Sequence, residues 1–165
     1  MDKQLFELAE RLGRSLKDND RIIATAESCT GGWIAEAITE IPGSSAWFDR
    51  GFVSYSNAAK IQMLGVNPKT LEQYGAVSAE TVAEMVAGAL AHSDATTAIA
   101  VSGIAGPDGG TSAQPVGTVY IAWKNKGEEA VVIKKQFSGN RHQIRAQTVK
   151  IAIEGCCEEG RRSAI

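Results

Sequence analysis

Apolar residues recur at Leu5, Phe6, Leu8, Ala9, Leu12 and Leu16 with charged residues between them. This is the spacing of an amphipathic helix that covers one face of a sheet and stops near Asn19 and Asp20. Residues 22–26 are short and apolar, as a buried strand is. The chain then passes through Ser28-Cys29-Thr30-Gly31-Gly32 into Trp33, Ile34, Ala37, Ile38 and Ile41, where the helical period restarts. Pro42-Gly43-Ser44-Ser45 breaks that helix, and residues 47–55 have the aromatic and β-branched content of a second strand. Short helices are predicted over residues 56–64 and 68–74, the second closed by Gly75. Ser78 is placed to cap a longer helix carrying Val82, Met85, Val86, Ala89 and Leu90, which should pack flat on the sheet. Residues 97–102 form a third strand that runs out into Gly103-Ile104-Ala105-Gly106-Pro107-Asp108-Gly109-Gly110. Residues 116–123 and 130–137 alternate as strands about the turn Asn125-Lys126-Gly127-Glu128. Asn140 caps a last helix to about Cys157, and a tail over residues 160–165 is expected to fray.

This order of elements predicts a single domain, a three-layer α/β/α sandwich on a mixed sheet. In open α/β sheets the ligand crevice lies beyond the carboxyl ends of the parallel strands. Both glycine-rich loops fall there.

The bulk numbers add exclusions. A chain of 165 residues with 44% hydrophobic and 22% charged content and a net charge of −2 is globular. Its size predicts a folded surface of about 7,900 Å². The charge gives no footprint for nucleic acid or an anionic membrane. The three cysteines, Cys29 and the adjacent Cys156 and Cys157, fit neither a disulfide framework nor a zinc site. Together with charges through the first seven residues and no apolar run approaching the roughly 18 of a membrane helix, this points to a cytoplasmic protein.

Ser28 lies where a buried strand becomes a helix, with glycines behind it that let backbone N–H groups approach an anion or oxyanion. Ser28 or Thr30 is equally placed to be a plain helix cap. A hydroxyl nucleophile needs a base, and neither His92 nor His142 comes with a triad signature. Lys60 is the other candidate. Residues 53–60 leave a strand's carboxyl end and enter a helix, which would let Tyr55 and Lys60 look toward the same crevice, where a lysine of depressed pKa serves as base with a tyrosine relaying the proton. A solvated surface lysine is the other reading. Arg141 and Arg145 share a face at the start of the last helix, where positive charge opposes the dipole. They form either a phosphate or carboxylate clamp or a salt bridge to a nearby glutamate. Asp108 reads as turn chemistry, and no metal site is expected.

The segments Ala26-Glu27-Ser28-Cys29-Thr30-Gly31-Gly32, Pro42-Gly43-Ser44-Ser45 with Phe48, Tyr55-Ser56-Asn57 with Lys60, Gly75-Ala76-Val77-Ser78, residues 102–110 and Pro115-Val116-Gly117-Thr118-Val119 together resemble the CinA C-terminal family. The likeness runs in order along nearly the whole chain and is nearest to the stand-alone form, without the N-terminal domain of larger members. It implies a five-stranded, mixed, mostly parallel sheet and a serine-lysine amidase without metal or cofactor. The implied reaction takes nicotinamide mononucleotide (NMN) to nicotinate mononucleotide and ammonia, in pyridine nucleotide recycling. On matching positions, Ser28 would be the nucleophile, Lys60 its base and Tyr55 a proton relay or orienting group. Thr30, Gly31, Gly32, Ser102, Gly103 and Gly106 would line the substrate. Backbone N–H groups around Thr30-Gly31-Gly32 or Ser102-Gly103 would hold the oxyanion, and Arg141 and Arg145 the phosphate. A homodimer is expected by the same analogy. Two alternatives stand beside this: a Ser/Lys hydrolase of another small amide, and a non-catalytic binding module, which predicts no contact between Ser28 and Lys60.

Overall fold

The computed structural model describes residues 1–164, with side chains through Cys157. Helix α1 (Lys3–Asp18) starts where the Asp2 carboxylate accepts from the Leu5 N–H, and it buries Leu5, Leu8, Leu12 and Leu16 as the spacing predicts. Then come β1 (Ile23–Glu27), α2 (Trp33–Thr39), a 3₁₀ turn (Ser44–Ala46), β2 (Phe48–Val53), α3 (Asn57–Leu64), α4 (Pro68–Tyr74), α5 (Ala79–Ala91), β3 (Thr97–Gly103), β4 (Thr118–Asn125), β5 (Val131–Gln136) and α6 (Arg141–Ala164). Helix α6 thus runs past the predicted end near Cys157, because Gly160 weakens a helix without stopping it. Side chains of the tail, residues 160–165, lie outside the described ones.

The sheet order is β2-β1-β3-β4-β5. β1 is parallel to β2 and β3, while β4 is antiparallel to β3 and β5. Four strands therefore run one way, and only β4 opposes them. The chain leaves β1 for β2 on one side and later returns to β3 on the other. That reversal opens a crevice at the carboxyl ends of β1 and β3.

The two faces of the sheet differ in side-chain size. Ile23, Ile99, Val101, Ile121 and Trp123 face α1, α2 and α6. Ala26, Ala98, Ala100 and Ala122 face α5, with Leu64 of α3 and Leu71 of α4 in the same cluster. The short alanine face lets α5 lie close. Gly88 of α5 lies close to the end of α3, where a Cβ would overlap the Leu64 carbonyl. In the opposite layer Trp47 lies against Gly13 and Trp123 against Gly155. The Trp123 indole donates to the Ala152 carbonyl at 2.8 Å, and the partly buried Trp33 packs on the same cluster. The folded surface is 7988 Å², close to the value scaled from size. No helix among the described residues is long and apolar enough to cross a membrane.

Candidate active site

Strand alternation sends neighbouring side chains to opposite faces, and at the end of β1 this separates Glu27 from Ser28. Glu27 lies on the α2 side, where its carboxylate accepts from Thr30 Oγ1 at 2.6 Å, Ile34 N at 2.8 Å and Ala35 N at 3.0 Å. Ser28 extends the ladder by one bond, from its N–H to the Val101 carbonyl at 3.1 Å. It turns to the α3 side. There Lys60 Nζ lies 2.9 Å from Ser28 Oγ, 2.9 Å from the Ser54 carbonyl and 2.9 Å from the Tyr55 carbonyl. Lys60 is held at that height by α3, whose cap Ser56 accepts from Ala59 N and whose end is closed by Gly65 at φ +69°.

Lys60 is 1% exposed, and burial pushes its ammonium below the ordinary 10.5, opposed by the neighbouring Cys29. The three contacts suit either protonation state. A protonated Lys60 donates to all three oxygens. A neutral amine has two N–H groups, and both go to the carbonyls, which only accept. Its lone pair is then left facing the Ser28 hydroxyl, which is the arrangement a base requires. The adjacent Cys29 is a poorer nucleophile here, since burial raises its thiol to about 11.

The pair borders a cavity of ≈ 300 Å³ lined by Tyr55, Ser102, Gly103, Gly106 and Arg141 among others. Ser102 Oγ donates to the Ala76 carbonyl at 2.8 Å and Gln114 Nε2 to the Val77 carbonyl at 2.6 Å, so the segment before α5 is pinned as one wall. Gly103 must lack a side chain, because a Cβ would come within 2.6 Å of Val119 Cγ2. Arg141 donates to the Gly106 carbonyl at 2.7 Å and to the Tyr55 hydroxyl at 3.3 Å.

Several readings from sequence change. Ser28 and Lys60 touch directly, while Tyr55 accepts from Lys60 at its carbonyl and from Arg141 at its phenol oxygen. Thr30, with its hydroxyl on Glu27, is fully buried. Ser28 is not a cap; the α2 amides at Ile34 and Ala35 are spent on Glu27, so that end of the helix is not an open anion site. Arg141 and Arg145 do not form one clamp. Arg145 sits across the turn in a second groove with Thr30, Gly31, Gly32, Trp33, Glu36 and His142. It donates to the Cys29 carbonyl at 3.0 Å and the Thr30 carbonyl at 3.1 Å, and its guanidinium stacks over Trp33 at 5.4 Å. Both arginines thus donate to main-chain carbonyls rather than to the glutamate that a salt bridge would need. Neither histidine lines the Ser28 cavity: His92 Nδ1 meets the Gly88 carbonyl, and His142 lies against Trp33.

The model of the CinA C-terminal domain matches residues 5–159. The chain belongs to that family. Relatives within the CinA family include nicotinamide-nucleotide amidohydrolase PncC of Pseudomonas putida, 54% identical over 93% of this chain and 95% of its own length. The protein of the same name from Escherichia coli K12 is 50% identical over 93% of both chains. Among solved CinA-type structures, the competence/damage inducible protein CihA of Agrobacterium tumefaciens superposes with a TM-score of 0.91 at 46% identity, covering 94% of each chain.

Proposed function

We propose that this protein hydrolyses the carboxamide of NMN to nicotinate mononucleotide and ammonia, through a Ser28 acyl-enzyme with Lys60 as base, in pyridine nucleotide recycling. The observation that carries the reading is the 2.9 Å contact between the buried Lys60 Nζ and Ser28 Oγ at the edge of a cavity. The names of the relatives support the substrate. A binding module has no use for that contact.

In this mechanism neutral Lys60 takes the Ser28 proton as Oγ attacks the carboxamide carbon. The C–N bond then breaks, Lys60 returns the proton to the departing nitrogen, and ammonia leaves. Water, deprotonated by the same amine, adds to the ester and frees the acid. The pyridinium charge makes the amide a better electrophile. Arg141, the guanidinium in the cavity lining, is the partner for the phosphate.

The β3 side offers an oxyanion donor, while four of the amides that follow Ser28 are already bonded. Around the nucleophile, the Gly31 N–H is bonded to the Ser28 carbonyl, the Trp33 N–H to the Thr30 carbonyl, and the Ile34 and Ala35 N–H groups to Glu27. Along β3, Ile104 N–H points to the Thr118 carbonyl on β4. Alternation therefore turns the Gly103 N–H toward the end of β1, at the cavity.

Ammonia release from NMN by wild type, Ser28→Ala and Lys60→Ala proteins, with and without EDTA, tests the proposal. Wild-type activity that survives EDTA and is lost in both variants is the expected result. Full turnover by Ser28→Ala would sink it.

A further inference from the structure

We infer that Glu27 is a positioning residue for the nucleophile, acting as a displaced helix cap that hangs the Ser28–Gly32 turn and α2 from one buried carboxylate. The inference rests on Ser28 being the nucleophile proposed above. A helix that follows a strand is ordinarily capped by a short polar side chain at its own first turn. For α2 that position is Gly32, at φ +101°, which has no side chain to offer. The cap comes instead from Glu27, five residues earlier and 1% exposed. Its Oε1 accepts from Thr30 Oγ1 and Ile34 N, and its Oε2 from Ala35 N. One carboxylate thus ties the end of β1, the middle of the turn and the start of α2 together. Ser28 is thereby spared. A local cap would use a hydroxyl in this turn, whereas the displaced cap leaves Ser28 Oγ for Lys60. From the outer side Arg145 grips the Cys29 and Thr30 carbonyls, so the turn is held between an anion below and a cation above.

Catalysis that depends on a direct contact is sensitive to the height of this turn, since a shift of about 1 Å costs on the order of 10²-fold in rate. The experiment compares Glu27→Gln, Glu27→Ala and Thr30→Val with wild type. It reads kcat and KM for NMN, the rate at which a fluorophosphonate probe labels Ser28, and the thermal unfolding midpoint. Expected is a fall in kcat of about 10²-fold for Glu27→Ala and a smaller fall for Glu27→Gln, which keeps the Oε1 acceptor, with KM within about threefold of wild type. Labelling should slow in the same order. Thr30→Val removes one contact from the turn and covers the case in which Glu27→Ala does not fold; it should slow labelling severalfold. Unchanged kcat and labelling in folded variants overturns the inference, as does a loss that follows the unfolded fraction alone. Wild type that labels at Ser28 without releasing ammonia from NMN refutes the substrate and leaves Glu27 to be judged by labelling. Wild type that does not label at Ser28 overturns both.

Discussion

Replacing Lys60 by methionine keeps an unbranched side chain of similar length in the floor of the cavity and removes the amine. Three contacts of 2.9 Å go with it. The Ser54 and Tyr55 carbonyls lose a donor, at about 1–3 kcal/mol each. Against this, the variant no longer buries a group that prefers to be charged in water, a cost of several kcal/mol for an ion. The two effects are comparable, so near neutral pH the variant should unfold within about 2 kcal/mol of wild type. Activity behaves differently. Loss of a general base removes about 10²–10⁴ in kcat, or roughly 3–5 kcal/mol of barrier lowering.

The pH dependence separates the two roles. Lys60 loses its proton in the folded state below 10.5, so between that depressed pKa and 10.5 the unfolded chain holds a proton that the folded chain does not. Wild-type stability relative to Lys60→Met must therefore rise with pH through that window and level off above it, by about 1.4 kcal/mol per unit of depression. Cys29 titrates in the same alkaline range and is coupled to the Lys60 charge, so the comparison is made with Cys29→Ala in both proteins. Urea unfolding across the alkaline range, with ammonia release under the same buffers, measures both quantities. A variant keeping more than about a tenth of wild-type kcat, or a flat stability difference across that range, would refute the role of Lys60 as a buried base.

In Gly88→Ala the new methyl overlaps the Leu64 carbonyl, so α5 and α3 must part; a loss of about 3 kcal/mol in denaturant unfolding is expected, with reduced kcat because α3 carries Lys60, and unchanged stability would contradict the packing described. Arg141→Ala should raise KM for NMN about 10–100-fold, the worth of a hydrogen bond to a charged group, while Arg145→Ala should lower kcat with little change in KM. Steady-state kinetics giving the reverse assignment would place the phosphate in the other groove. With its thiol at about 11, Cys29 at pH 8 is about one part in 10³ thiolate. Iodoacetamide mapping by mass spectrometry should find Cys29 at least about 100-fold slower in the native protein than in urea.

Periodicity carried most of the fold. The helix over Leu5–Leu16, the strands either side of Asn125–Glu128 and the cap at Ser78 are where apolar spacing and turn chemistry put them. Ser28 and Lys60 were separate candidates in the residue pattern, each at or just beyond a strand's carboxyl end, and the family resemblance paired them. What was hidden depended on a single residue of register. The strand was read over residues 22–26, whereas β1 is Ile23–Glu27, and only with Glu27 inside the strand does alternation send it to α2 and Ser28 to α3. Arg141 and Arg145 do start from one helix face, but the turn passes between their guanidinium groups, and helix spacing says nothing about what lies between two long side chains. The contact of Lys60 with the Tyr55 main chain was hidden for a related reason, since a carbonyl has no sequence signature.

The chain has three tryptophans, and all of them belong to the layer of α1, α2 and α6. Intrinsic fluorescence excited above the tyrosine band therefore watches half of the molecule. The layer that carries Lys60 and α5 emits nothing in that channel. A transition seen in tryptophan emission reports the undocking of α1 and α6 from the sheet, and coincidence with loss of turnover is the measure of whether the two layers melt together. If α3 and α5 loosen first, activity will vanish while the emission spectrum still looks native.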